Sequence, residues 1–261
     1  LGVKCDYSES AYNDSESVAA VAESTWSCDE SERKLVANGL PDHVVGTFPS
    51  EANPNTISEQ TISASVPLNP TKTAMMSTPD VIGYVLNGVK IDAATSGSCN
   101  MTGEDCSLMD NTGIWSIEAL GQTRFGFGSD DNNGYVQADG AYTYHGMPEG
   151  FLTSQGASDA VMTLIGWAAD GFPMYGRHGH SIADDVNSDL KTVNGSYQLV
   201  ANADVNRPSV DTFTMGTFTQ DWEYVEGSGD LDECNGRMGV TPEFPNGIYH
   251  YFATDSFPYF P

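Results

Sequence analysis

Basic side chains are scarce in this chain. Ten Lys and Arg face 36 Asp and Glu in 261 residues, a formal net charge of −26. A surface of that sign repels phosphate backbones, which argues against nucleic acid as a partner, and it disfavours anionic membrane surfaces. Long apolar runs are absent too: no stretch of eighteen apolar residues exists, so no membrane span is expected. Leu1 does not open a signal peptide, and the chain reads as a mature, processed product. Catalytic signatures are missing: there is no Gly-x-Ser-x-Gly elbow, no His-Glu-x-x-His and no phosphate-cradling loop. The cysteines, Cys5, Cys28, Cys99, Cys106 and Cys234, match no zinc ribbon, redox pair or haem motif.

What is present places the chain outside the cell. Cys99 and Cys106 bracket a short polar loop that suits a local disulfide, and Cys5 with Cys28 would clip the N-terminal segment. Buried free thiols are the alternative. Sequons at Asn13, Asn100 and Asn194 fit a glycoprotein. The acidity reads as solubility in a salty, marine-like medium, as cation binding, or as attraction to a cationic partner.

Residues 1–27 read as a polar surface arm. Asp29 and Glu32 have the form of a capping box, with a stop at Asn38-Gly39 and Pro41, which predicts a short helix over about 30–38. An N-terminal arm with that helix (1–39) would join a β domain (40–261) in one unit. Beyond it the punctuation is that of β structure. Residues 60–68 alternate. Asn87-Gly88 separates Val81–Leu86 from Val89–Ile91, and Asp139-Gly140 separates Tyr135–Ala138 from Ala141–His145. Val161–Ala168 reads as a buried strand turned by Asp170-Gly171, and Asn246-Gly247 leads into a last strand. The fold class is mainly β: an antiparallel β-sandwich-like single domain with long loops and one or two short helices.

Two segments echo each other, Tyr142-Thr143-Tyr144-His145 and Tyr249-His250-Tyr251-Phe252. Alternation places every second side chain on one face. Only five histidines exist, and His43 lies in a proline-bounded loop. His145 and His250 are candidate metal ligands, with Tyr144, Tyr249, Tyr251 and Asp255 beside them as ligand-binding groups, and the two imidazoles are expected to lie close together. The alternative is an aromatic core in which tyrosine hydroxyls satisfy the rings. His178 and His180 form His-x-His, either two further ligands on one face of a strand or exposed loop residues. A divalent ion (copper, zinc or calcium) is the cofactor class to test. The acidic turns at 130–134 and 230–236 are oxygen-rich but are not EF-hands.

The ordered blocks NPNTISEQ (53–60), GYVLNGVK (83–90), YTYHGMPEG (142–150), LIGWAADGFPMYG (164–176), DLDECNG (230–236) and the segment 246–259 resemble the YHYH domain family. The resemblance spans about residues 40–261 and implies an exported protein without assigning an activity. Thr143 and Phe252 stand where that family carries histidines, so two imidazoles are missing. The reading is a secreted acidic β domain whose Tyr/His/acid pocket binds a small ligand or metal ion. A metal-dependent extracellular enzyme, oxidative or hydrolytic, and an extracellular matrix or adhesive protein are the alternatives.

Overall fold

The computed structural model describes residues 2–73, 81–92 and 97–261. Asp6–Asn13 (β1), Ala20–Cys28 (β2), Glu32–Ala37 (β3) and Ile62–Pro67 (β4) form a four-stranded antiparallel meander. A disulfide joins Cys5 to Cys28 across its first hairpin. The N-terminal arm is therefore a hairpin of this sheet, and the short helix expected over 30–38 is a strand. The capping hydrogen bonds exist, since Asp29 Oδ1 accepts from the amides of Ser31 and Glu32. They close the turn between β2 and β3, where the Asp29 amide also donates to the Glu32 carbonyl. Period-two burial then decides the element, because Arg33 and Leu35 point inward while Lys34 and Val36 face solvent.

Gly83–Val85 (β5) and Lys90–Ile91 (β6) flank the Asn87-Gly88 turn, where Gly88 takes φ +85°. Ser98–Cys99 (β7), Cys106–Ser107 (β8) and Trp115–Ser116 (β9) make a small separate sheet, closed by the Cys99–Cys106 disulfide. Gly134–Val136 (β10) and Tyr142–Tyr144 (β11) flank Asp139-Gly140 and lead to one short helix, Glu149–Ser154 (α1). Leu164–Ala168 (β12) and Pro173–Tyr175 (β13) flank Asp170-Gly171. Two outlying hairpins follow, His178–His180 (β14) with Leu190–Thr192 (β15), and Tyr197–Leu199 (β16) with Trp222–Tyr224 (β17). Gly236–Gly239 (β18) and Ile248–Phe252 (β19) end the fold, with Asn246-Gly247 just before the last strand.

The large sheet runs β10-β11-β6-β5-β12-β13-β19-β18 and packs on the four-stranded sheet as a sandwich. Trp26, Leu35 and Val66 of one sheet share a buried core with Val85, Ile165 and Trp167 of the other. Three polar groups lock the layers together. Trp26 Nε1 and Ser24 Oγ both donate to the Leu86 carbonyl, and the buried Arg33 guanidinium lies 3.3 Å from the centre of the Trp167 ring.

The large sheet also repeats itself about its centre. There β5 and β12 are antiparallel, with Tyr84 opposite Trp167. Outward on each side come a hairpin partner, then a parallel strand, then an antiparallel edge strand. The registers correspond: Tyr144 opposite Ile91 matches Tyr251 opposite Met174, and Tyr135 opposite Thr143 matches Arg237 opposite His250. The edge turns correspond as well. Asp130 and Asp232 each bond backbone-to-backbone with the glycine four residues on, and Asn133 and Asn235 share φ +55°. Thus Tyr142-Thr143-Tyr144-His145 occupies in one half the place of Tyr249-His250-Tyr251-Phe252 in the other.

Candidate functional site

That symmetry keeps the two echoing segments apart. Four strands, β6, β5, β12 and β13, lie between β11 and β19. At about 4.8 Å per strand this is a separation of roughly 24 Å, too far for His145 and His250 to share an ion. Their expected proximity is therefore corrected: the halves repeat side by side instead of folding onto one another. Among the described residues, no three His, Cys, Asp or Glu side chains are grouped so as to hold a metal ion.

Each segment has two faces. In the first, Tyr142 and Tyr144 turn toward the loop before β4. The Tyr144 hydroxyl lies 2.6 Å from His43 Nε2 and accepts from Asn87 Nδ2, while Tyr142 donates to Asp130. Thr143 and His145 occupy the opposite face. His145 is buried, its ring packs 5.4 Å from that of Tyr135, and its Nδ1 has no partner. Burial lowers its pKa, so the ring is held neutral. In the second segment, Tyr249 donates to Asp232 and Tyr251 to Asp170. Gly134 and Gly236 lack side chains where the Tyr142 and Tyr249 hydroxyls cross, since a Cβ at either would collide with the phenol. His250 and Phe252 face inward. His250 stands edge-on to Tyr175 at 5.5 Å, and desolvation pushes its pKa down to about 4. β14 covers this face: Arg237 reaches past Phe252 to the His180 carbonyl.

The acidic turns are occupied by the protein itself. Asp130 accepts from the amides of Gly46, Asn132 and Gly134, and Asp232 from those of Cys234 and Gly236. Of the sequons, Asn13 is buried, with Nδ2 donating to the Pro41 and His43 carbonyls. A glycan expected there has no room in the folded chain, whereas Asn194 is exposed.

The continuations of the two segments do converge, through carboxylates. The first runs on past Met147-Pro148 to Glu149 at the start of α1, and the second to Asp255. Both clamp Arg177, which leaves the end of β13. Its Nε and Nη2 donate to Asp255 at 2.9–3.1 Å, and Nη1 and Nη2 donate to Glu149. The paired carboxylates raise the guanidinium pKa and hold its charge. Arg177 forms one wall of a cavity of about 150 Å³, completed by Leu152, Val161, Thr163 and His178, with Asp159 at the rim. His178 Nε2 lies 3.5 Å from Asp159, and the buried Thr163 hydroxyl has no partner. A shallower groove of about 510 Å³ runs over the outer face of the four-stranded sheet, lined by short polar side chains such as Ser8, Ser10 and Thr25.

Of the expected site residues, Asp255 bonds Arg177 and His178 lines the cavity beside it, with His180 on the same hairpin as His178 and His250 on the strand leading to Asp255. Tyr249 and Tyr251 lie on the far face of that strand, and Tyr144 and His145 lie across the sheet. Sequence reasoning missed Arg177, Asp159 and Thr163. The one available signal was scarcity: with ten basic residues in the chain, an arginine flanked by Gly176 and His178 needs a role.

A family model described as YHYH protein matches residues 63–261. No curated protein and no solved structure matches the chain.

Proposed function

We propose that this chain, a member of the YHYH protein family, is a secreted binding domain whose ligand enters the cavity beside Arg177. The two disulfides support an oxidising, extracellular setting. The observation that carries the reading is a cavity with unmet polarity: the Thr163 hydroxyl is buried without a partner in a wall that also holds Arg177 and His178. Volume narrows the ligand. At about 150 Å³ the cavity is well below the roughly 300–1,000 Å³ of drug-sized sites, so it suits a molecule of a few heavy atoms, not an oligosaccharide. Charge narrows it further. Glu149 and Asp159 line the cavity, and the one guanidinium there is already bonded to Glu149 and to Asp255 behind it, which favours a small amine with a short apolar tail reaching Leu152 and Val161. The test is a melting-temperature screen of small amines, polyols and carboxylates. The amines should raise the transition of the native chain and leave that of Thr163→Val less affected. A screen in which only carboxylates stabilise, or in which the variant responds equally, contradicts the reading.

A further inference from the structure

Between the two sheets, two basic side chains meet where the chain offers them no carboxylate. Arg33 lies on the inward face of β3, flanked by Cys28 on β2 and Val66 on β4. It is 2% exposed, and its Nε donates to the Lys4 carbonyl at 2.7 Å. The Lys4 ammonium lies 5.0 Å from the centre of the Phe244 ring and donates to the Glu243 carbonyl. Among the described residues no ion pair reaches either cation, whereas Arg177 and Arg207 each hold at least one carboxylate. None of these residues lines the Arg177 cavity.

Two donors in this cluster have no partner. Arg33 Nη1 and the indole Nε1 of Trp167 are both buried without an acceptor. They belong to one stacked pair, with the guanidinium carbon 3.3 Å from the indole ring centre. The donors therefore lie within a few ångströms of each other, and one acceptor seated between them can serve both. Val66, the Cys5–Cys28 disulfide and Phe244, 6.3 Å from the Trp167 ring, add no oxygen. Burial pushes the guanidinium pKa down to about 10, so it stays charged at neutral pH without a counterion from the chain. A buried charge is costly unless paired, and an aromatic face offsets part of that cost. We infer that Arg33 and Trp167 form a binding site for one small monovalent anion of the halide class, chloride in a saline medium, held between Nη1 and Nε1. Enclosure selects the size: Trp167 is fully buried, which leaves no path for the tail of a carboxylate ligand. Hydration selects the charge: sulfate and phosphate carry more of it and lose more on burial than two donors return. The net charge of −26 disfavours anions elsewhere on the surface, so a saturable halide response points to this cluster.

Chlorine NMR line widths and melting curves on the full oxidised chain test it. Added protein should broaden the chloride line, bromide should reverse the broadening saturably, and gluconate should not. Sodium chloride should raise the melting transition by about 2–4 °C over sodium gluconate at equal ionic strength, a comparison that removes screening of the acidic surface. Trp167→Phe keeps a ring under the guanidinium and removes one donor, so halide affinity should fall about tenfold. Arg33→Met fills similar space without charge and should abolish both effects. A water bridging the two donors would instead give equal transitions in the two salts. That result, or a chloride effect retained in full by Trp167→Phe or by Arg33→Met, overturns the proposal.

Discussion

At the residue scale, burial sets the state of the signature imidazoles. Both His250 and His145 have pKa values lowered by desolvation, His250 to about 4 from an ordinary 6.5. A lowered base pKa means the unfolded chain binds more protons between those limits. The neutral-ring contribution of His250 is thus fully present above pH 6.5 and is lost as pH falls from 6.5 to about 4. The shift corresponds to roughly 3 kcal/mol for this one ring. Urea unfolding across that window should show stability falling with acid, and His250→Asn should flatten the slope. Nitrogen shifts of His250 that report a protonated ring at pH 5.5 in the folded protein would contradict the assignment. The Arg177 clamp allows a second prediction. Arg177→Met leaves Glu149 and Asp255 facing each other without a cation. Because these groups are a quarter to a half exposed, solvent screening holds the loss to about 1–2 kcal/mol. Arg177→Lys should recover little, since a point charge cannot fork to two carboxylates. Equal urea midpoints for native and Arg177→Met would remove the clamp from the account.

At the scale of elements, the turns of the large sheet and the strand over 60–68 were legible, and the first three strands of the other sheet were not. Asn87-Gly88, Asp139-Gly140 and Asn246-Gly247 fall between or just before strands because positive φ is a local demand that glycine meets locally. β1 gave no such signal. Its half-buried face carries Tyr7, Glu9 and Ala11 and its exposed face Ser8, Ser10 and Tyr12, so apolar alternation barely exists. In β3 the buried inward positions are Arg33 and Leu35, so a buried arginine broke the apolar alternation that Leu35 would otherwise announce. Cysteine spacing, in contrast, carried both disulfides, since close partners in sequence need little tertiary information. Their loop lengths predict unequal worth. Opening Cys5–Cys28, separated by 23 residues, should cost about 1 kcal/mol more than opening Cys99–Cys106, separated by 7, if unfolded-chain entropy governs. Denaturation of the two paired-alanine variants checks the order, and a larger loss for the shorter loop would reverse it.

For the whole molecule, the approximate two-fold of the large sheet explains both the echo in the sequence and its misreading. Similar Tyr/His strands suggested one shared site, yet symmetry-related strands sit at equivalent places on opposite sides of the β5–β12 centre. What joins them is Arg177, through Glu149 and Asp255, 28 and 78 residues away in sequence. Contacts of that span leave no local pattern to read. The cavity they wall is the centre of the functional account, and an amide-resolved titration tests it most directly. Short alkylammonium ions added to the native chain should shift backbone resonances at 149–163 and 176–178 saturably, with Asp159→Asn weakening the response and small carboxylates giving none. Saturable shifts centred instead on Tyr135, Thr143 and His145, or the absence of saturable shifts with any amine, would contradict it.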